Sequence, residues 1–144
     1  MLKGIPRIIS PELLRILMEM GHGDELVIGD GNFPAASMAA SGRLIRCDGH
    51  GGPAILDAIL QFLPLDTFVA RPVGLMAVVP GDPYQPAVWE QYRAIIQKHE
   101  PFSDFEMMER YAFYERAKKA YAVVATGEMA RYANIILKKG LVHE

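Results

Sequence analysis

Glu25-Leu26-Val27-Ile28-Gly29-Asp30-Gly31-Asn32 is the stretch on which the fold turns. Its apolar centre is too short for a helix and runs into Gly-Asp-Gly, so Glu25 to Gly29 reads as a buried strand that feeds a turn. Upstream, Ser10-Pro11-Glu12 starts a helix. Serine caps, proline suits the first helical position, and glutamate favours the positive end of the dipole. Leu13, Leu14, Ile16, Leu17 and Met20 then keep helical spacing until Gly21 stops it.

Downstream the same alternation continues. Pro34 to Ser41 is rich in small residues and reads as a short helix, Arg43 to Cys47 as a second strand, and Asp48-Gly49-His50-Gly51-Gly52 as a flexible turn. Pro53 to Leu63 carries Ile55, Ile59, Leu60 and Leu63 at helical spacing, and Val73 to Val79 is a further strand. After a proline-rich loop over Gly81 to Pro86, Ala87 to His99 is amphipathic, with Val88, Tyr92, Ile95 and Ile96 on one side. Phe105 to Arg110 reads as a strand, Tyr111 to Ala120 as a helix, Tyr121 to Thr126 as a strand and Asn134 to Lys138 as the last strand. This order predicts an α/β protein, a three-layer α/β/α sandwich around a largely parallel sheet. No repeat, low-complexity tract or linker divides residues 1–144, which read as one domain.

Composition narrows the function classes. The chain has 15 basic and 17 acidic residues, a formal net charge of -2, and no basic block beyond the Lys-Lys pairs at 118–119 and 138–139. Nucleic acid is not an expected partner. No stretch approaches the roughly 18 uninterrupted apolar residues of a membrane span, so no membrane association is expected. The single Cys47 cannot form an internal disulfide and the N-terminus has no signal-type pattern, so a cytoplasmic protein is the expectation. With 51% hydrophobic residues and a mean hydropathy of +0.10, some apolar surface is expected to lie between subunits of a homo-oligomer.

The polar residues collect in three short runs, Gly21-His22-Gly23-Asp24, Gly29-Asp30-Gly31-Asn32 and Arg131-Tyr132-Ala133-Asn134, each at the edge of a helix or strand pattern. A histidine, a carboxylate and neutral hydrogen-bonding groups suit sugar chemistry. His22 follows the first helix, where the negative dipole end favours imidazolium and Asp24 is near enough to hold the ring. It is either a proton donor working near neutral pH or a cap on helix carbonyls. Asp30 lies at the predicted C-terminal end of a strand, where open α/β sheets place their ligands. It either accepts hydrogen bonds from sugar hydroxyls or bonds its own turn. Tyr132 and Asn134 bracket Ala133, whose backbone amide offers a donor between phenol and side-chain amide; the three grip vicinal hydroxyls, or they pack and turn the chain. Arg110 offers a fork of bonds to a substrate oxygen, or pairs with Glu106 or Glu109.

Other signals fail. In Gly29-Asp30-Gly31-Asn32-Phe33-Pro34, Pro34 replaces the third glycine of a dinucleotide fingerprint. His50-Gly51-Gly52 is similar to a lipase oxyanion segment, but no G-x-S-x-G elbow accompanies it. His99 and His143 show no metal-ligand spacing, so no metal is expected. Tyr111, Phe113, Tyr114 and Tyr121 read mostly as core, with Tyr114 able to line a pocket.

Along nearly its whole length the chain resembles the L-fucose mutarotase family, which is related to D-ribose pyranase. The matching stretches are Ser10-Pro11-Glu12-Leu13-Leu14, Met20-Gly21-His22-Gly23-Asp24-Glu25, Asp30 with Asn32-Phe33-Pro34-Ala35, and Ile45-Arg46 with Asp48-Gly49. Phe113-Tyr114-Glu115-Arg116-Ala117 and Tyr132 with Asn134-Ile135-Ile136-Leu137-Lys138-Lys139-Gly140 complete them. Cys47 departs from the small residue expected there, Gly31 stands where alanine or another side chain is common, and the turn around His50 is more variable. The resemblance implies His22 as proton donor and Asp30, Arg110, Tyr132, Ala133 and Asn134 as the sugar-binding residues. It also implies no cofactor and an oligomer from dimer to decamer. The implied reaction is exchange of α and β anomers of L-fucose through the open-chain aldehyde, with Asp30, Tyr132 or a water as base. Two alternatives stay open: a pyranase acting on ribose, against which Arg110 stands because that branch typically has histidine there, and a sugar-binding module without proton transfer.

Overall fold

In a computed structural model of residues 1–144, Ser10 Oγ accepts a hydrogen bond from Leu13 N at 3.1 Å and opens helix α1, Pro11–Glu19. Leu13, Ile16 and Leu17 form its buried face. The helix ends one residue before the expected stop, because Met20 is already extended and only its amide still bonds back, to Ile16 O. The chain continues as β1 (Glu25–Gly29), α2 (Ala35–Met38), β2 (Leu44–Cys47), α3 (Gly52–Leu60), β3 (Val73–Met76) and α4 (Val88–His99). It closes with β4 (Glu106–Met108), α5 (Arg110–Lys119), β5 (Ala122–Thr126) and β6 (Ile135–Lys138).

The six strands form one sheet in the order β2-β5-β1-β6-β3-β4. Pairs β1–β5, β2–β5 and β3–β4 are parallel, whereas β6 runs antiparallel to both β1 and β3. The sheet is therefore largely parallel with one reversed strand, placed near its middle. Alternation along the strands divides the core between two faces. Leu26 and Ile28 of β1, with Ile135 and Leu137 of β6, join Leu13, Ile55, Ile59 and Tyr92 from α1, α3 and α4. Val27 and Ile136 face the other way, onto Ala35 of α2 and Phe113 and Ala117 of α5. Three layers result, and both faces of the sheet are covered.

Several boundaries differ from the sequence reading, and two of them bear on the site. The strand expected over Val73 to Val79 stops at Met76, where its neighbour β4 also ends: Met108 O takes a last bond from Ala77 N at 2.7 Å. Arg110 does not end a strand. Glu109 caps α5 by accepting from Tyr111 N and Ala112 N at 2.9 and 3.1 Å, so Arg110 is the first residue of that helix. Further along α5, Arg116 makes bonds of 2.9 and 2.6 Å to Glu25 Oε2 and also pairs with Glu106, fastening the helix across the starts of β1 and β4. Such charge-assisted forks fix geometry as well as adding attraction.

This topology sorts the polar runs by sheet edge. Asp30 follows the C-terminal end of β1, Arg110 follows β4, and Asn134 precedes the reversed β6, so all three meet at one edge. His22 precedes β1 and lies at the opposite edge.

Candidate active site

At the C-terminal edge of the parallel strands, Asp30, Asn32, Arg110, Tyr114, Arg131, Tyr132 and Asn134 line a cleft of ≈240 Å³, and Phe33 and Met76 supply its apolar lining. A groove of ≈360 Å³ along Ile5, Pro6, Ile9 and Leu14 is larger, but Arg7 is its only charged side chain and it offers no acid–base pair. The smaller cleft, by contrast, gathers the carboxylate, guanidinium, phenol and amide groups that proton transfer on a sugar calls for.

Asp30 is buried at 6% exposure beneath that cleft. Its Oδ1 accepts from Asn32 N at 3.0 Å, its Oδ2 from Ala133 N at 3.4 Å, and its own amide donates to Asn134 Oδ1 at 2.8 Å. It closes its own turn and also lines the cleft. Burial pushes its carboxyl above the usual range and Glu128 adds to the rise, against the Asn32, Ala133 and Phe33 amides. A carboxylate held this way is a stronger base than one in water.

The loop behind it is shaped by close approach. A Cβ on Gly29 would stand 2.5 Å from Phe33 Cδ1, so only glycine lets the Phe33 ring fold under the cleft. At the departure noted in the sequence, a Cβ on Gly31 would stand 3.1 Å from Glu128 O, the carbonyl that Gly31 N bonds at 2.8 Å.

Tyr132 adopts φ 59°, the only non-glycine residue with positive φ. The alternation expected of a strand does not operate here, because β6 begins only at Ile135. The left-handed residue nevertheless brings Tyr132 and Asn134 to the same cleft and turns the Ala133 amide inward onto Asp30. Ala133 is 1% exposed, and its N–H faces Asp30 rather than the solvent. The Tyr132 hydroxyl donates to Asp82 Oδ2 at 2.7 Å, and its ring stacks with Tyr84 at 6.0 Å. Arg131 lies 4.3 Å over Tyr84 and 3.3 Å from the same Asp82 oxygen. The loop carrying Asp82 and Tyr84 thus braces one wall.

On the other wall, Arg110 Nε donates to the Tyr114 hydroxyl at 3.2 Å and its guanidinium lies 5.4 Å from that ring. Neither expected acidic partner takes it, since Glu109 caps the helix and Glu106 pairs with Arg116. Tyr114 accepts from a cation, which leaves its own proton directed elsewhere. Among the aromatic residues read as core, Phe113 is fully buried whereas Tyr111 is 68% exposed.

His22 does not join this group. Its Nε2 lies 3.0 Å from Asp66 Oδ1, 44 residues away, and Phe68 packs at 5.1 Å from its ring. Asp24 is not its partner, because the Asp24 carboxylate takes the Gly21 amide at 2.8 Å. Burial works to raise the Asp66 carboxyl, but the Phe68 amide and the His22 ring hold it below the usual range. The sequence leaves Asp66, Asp82 and Met76 unmarked, and gives Arg131 and Phe33 no role beyond the stretches that contain them. The only local signals were the Asx-type turns that Asp66 and Asp82 make with Phe68 N and Tyr84 N. No three His, Cys, Asp or Glu side chains converge to hold a metal ion, and no helix is long and apolar enough to cross a membrane.

Residues 3–142 match the model of the RbsD / FucU transport protein family. A fucose mutarotase from Mus musculus is 51% identical over 143 residues, covering 96% of this chain and 94% of its own length. Among solved structures, FucU from Bifidobacterium longum aligns with TM-score 0.95 at 54% identity, over 98% of this chain and 100% of its own. The fucose mutarotase from Streptococcus pneumoniae in complex with L-fucose aligns with TM-score 0.92 at 53% identity, over 99% and 100%.

Proposed function

From the premise that this chain belongs to the RbsD / FucU transport protein family, we propose that it is a cofactor-independent mutarotase that interconverts the α and β anomers of L-fucose. The observation that carries this reading is the cleft at the sheet edge. It joins a buried carboxylate, two guanidinium groups, two phenols and two amides to an apolar patch of Phe33 and Met76. The polar groups suit the ring hydroxyls, and the apolar patch suits the methyl group of a 6-deoxy sugar. Arg110 favours this substrate over ribose, because the ribose branch typically has histidine there.

Anomer exchange needs two proton transfers. On ring opening, the anomeric hydroxyl gives its proton to a base, the bond from the anomeric carbon to the ring oxygen breaks, and the ring oxygen takes a proton from an acid. The product is the open aldehyde with a free hydroxyl. Rotation about the bond to the second carbon exposes the other carbonyl face, and closure returns both protons. Asp30 is the base best placed, being buried, raised and open to the cleft. Tyr132 is less suited, since its hydroxyl is committed to Asp82. Arg110, Tyr132 and Asn134 hold the sugar, and the Tyr114 hydroxyl stands beside them. Each transfer group contributes about 10²-fold or more.

His22 is the acid, and a neighbouring copy of the chain supplies it. Within one chain, β1 separates His22 from the cleft. The His22 side chain is 39% exposed and its neighbour Phe68 is 71% exposed, so the pair projects from the far edge. An open concavity along Ala77, Val78, Val79 and Pro80 adjoins the cleft at Arg110 and fits an apolar projection of that kind. A contact between two different faces closes into a ring when the rotation permits. A homo-oligomer between dimer and decamer follows, and a cytoplasmic location suits the free, buried Cys47.

The test is exchange NMR at the anomeric protons of L-fucose and D-ribose, with wild type and His22→Ala. Exchange accelerated for fucose and lost in the variant is the expected result. Acceleration of ribose ring forms alone, or binding without acceleration, would overturn the assignment.

A further inference from the structure

Behind the cleft, α4 sends two side-chain donors to consecutive carbonyls. Trp89 Nε1 donates to Tyr132 O at 2.7 Å, and Tyr92 Oη donates to Ala133 O at 2.7 Å. The two residues are three apart on one helix and so share a face. Tyr92 is fully buried, Trp89 is half-buried, and neither lines the cleft.

Peptide planarity gives these bonds their consequence. Tyr132 O and Ala133 N belong to one rigid peptide unit. Trp89 holds its oxygen, and Asp30 Oδ2 accepts from its nitrogen at 3.4 Å. The next unit, held by Tyr92 at Ala133 O, leads into Asn134, whose side chain accepts from Asp30 N. Immediately before them Tyr132 keeps φ 59°, a conformation that a tyrosine retains only where its surroundings over-determine it. Two buried-side bonds on adjacent carbonyls do so.

We propose that Trp89 and Tyr92 are positioning residues for the reaction: through the two peptide planes around Ala133 they aim the Asp30 carboxylate and the Asn134 amide at the sugar. This rests on the mutarotase reading of the cleft. Around Asp30 stand Glu128 on the buried side and Arg110, Arg131, Tyr114 and Tyr132 across the cleft. Of these, only Tyr132 is bonded by either donor, through its carbonyl.

The experiment compares Trp89→Phe, Tyr92→Phe and a control, Ile96→Val, which removes one buried methylene from the same helix. Anomeric exchange of L-fucose is measured across pH, alongside thermal unfolding. Expected for both donor variants is a fall in kcat of about tenfold or more with KM within about twofold. The acid limb of kcat/KM also moves to higher pH, because a carboxylate that loses a donor is harder to ionise. The control keeps the wild-type limb and kcat. Wild-type kcat and limb in both donor variants would overturn the proposal, as would an equal loss in Ile96→Val, which would mark general loosening of α4. Should Tyr92→Phe not fold, Trp89→Phe decides alone. A wild type that leaves fucose exchange unchanged sinks the mutarotase reading, and the proposal with it.

Discussion

His22 and Asp30 stand at opposite ends of β1, the first 3.0 Å from Asp66 and the second bonded to Asn134 at 2.8 Å. Five strand residues at about 3.3 Å each put roughly 17 Å between them. No rotamer change spans that distance; on the roles proposed for these residues, the acid and the base working on one sugar come from two copies.

Complementation between subunits checks this directly. His22→Ala and Asp30→Asn are each expected to lose most of the fucose exchange. Mixed, dissociated and reassembled, they recover about a quarter of wild-type activity, since that share of random contacts pairs an intact His22 with an intact Asp30. No recovery, with the oligomer re-formed, would place both residues' roles within one chain.

The apolar lining predicts a preference that depends on the sugar's methyl group. D-arabinose has the ring stereochemistry of L-fucose without that methyl. Met76→Gln should lower kcat/KM for L-fucose by about fivefold, matching roughly 1 kcal/mol of lost apolar contact, and change D-arabinose much less. Equal losses for both sugars, measured by exchange NMR, would remove Met76 from methyl recognition.

Asp30 also leaves a signature in stability. Its folded carboxyl titrates above its unfolded value, chiefly through burial, so the folded state binds the proton more tightly. Stability from this group is fully present below the unfolded value near 3.8. It declines as pH rises toward the folded value, then levels off. Urea midpoints compared at pH 4 and pH 7 should therefore show a smaller drop in Asp30→Asn than in wild type. An identical drop in both would mean that burial does not tax this carboxylate.

Gly29→Ala tests the packing under the cleft. The added Cβ would meet Phe33 Cδ1 at 2.5 Å and Phe33 Cβ and Cγ at 2.9 Å. Overpacking of this kind costs about 1–3 kcal/mol, and the ring it displaces lines the cleft. A lower urea midpoint together with a raised KM for L-fucose is the expected outcome. Wild-type values for both would mean that the loop relaxes freely.

Much of the architecture was legible in the chain because it depends on local periodicity. Leu26-Val27-Ile28 could be read as a strand buried on both faces, and Ser10-Pro11-Glu12 as a helix start, from side-chain size and capping chemistry within a few residues. The polar runs were legible too, since glycine, aspartate and asparagine mark turns whatever surrounds them. Resemblance along the chain linked Asp30, Arg110, Tyr132 and Asn134 before any geometry was known.

Tertiary structure alone decided which runs meet. The reversed direction of β6 carries Asn134 to Asp30 across 104 residues, and the strand order carries Asp66 rather than Asp24 to His22. Nor could sequence foresee that Ala133 N turns inward, since that follows from a left-handed Tyr132 held by Trp89 and Tyr92. The physical reason is common to all three. Periodicity and turn chemistry act over a few residues, whereas a hydrogen bond between distant segments depends on the direction and order in which the strands pair.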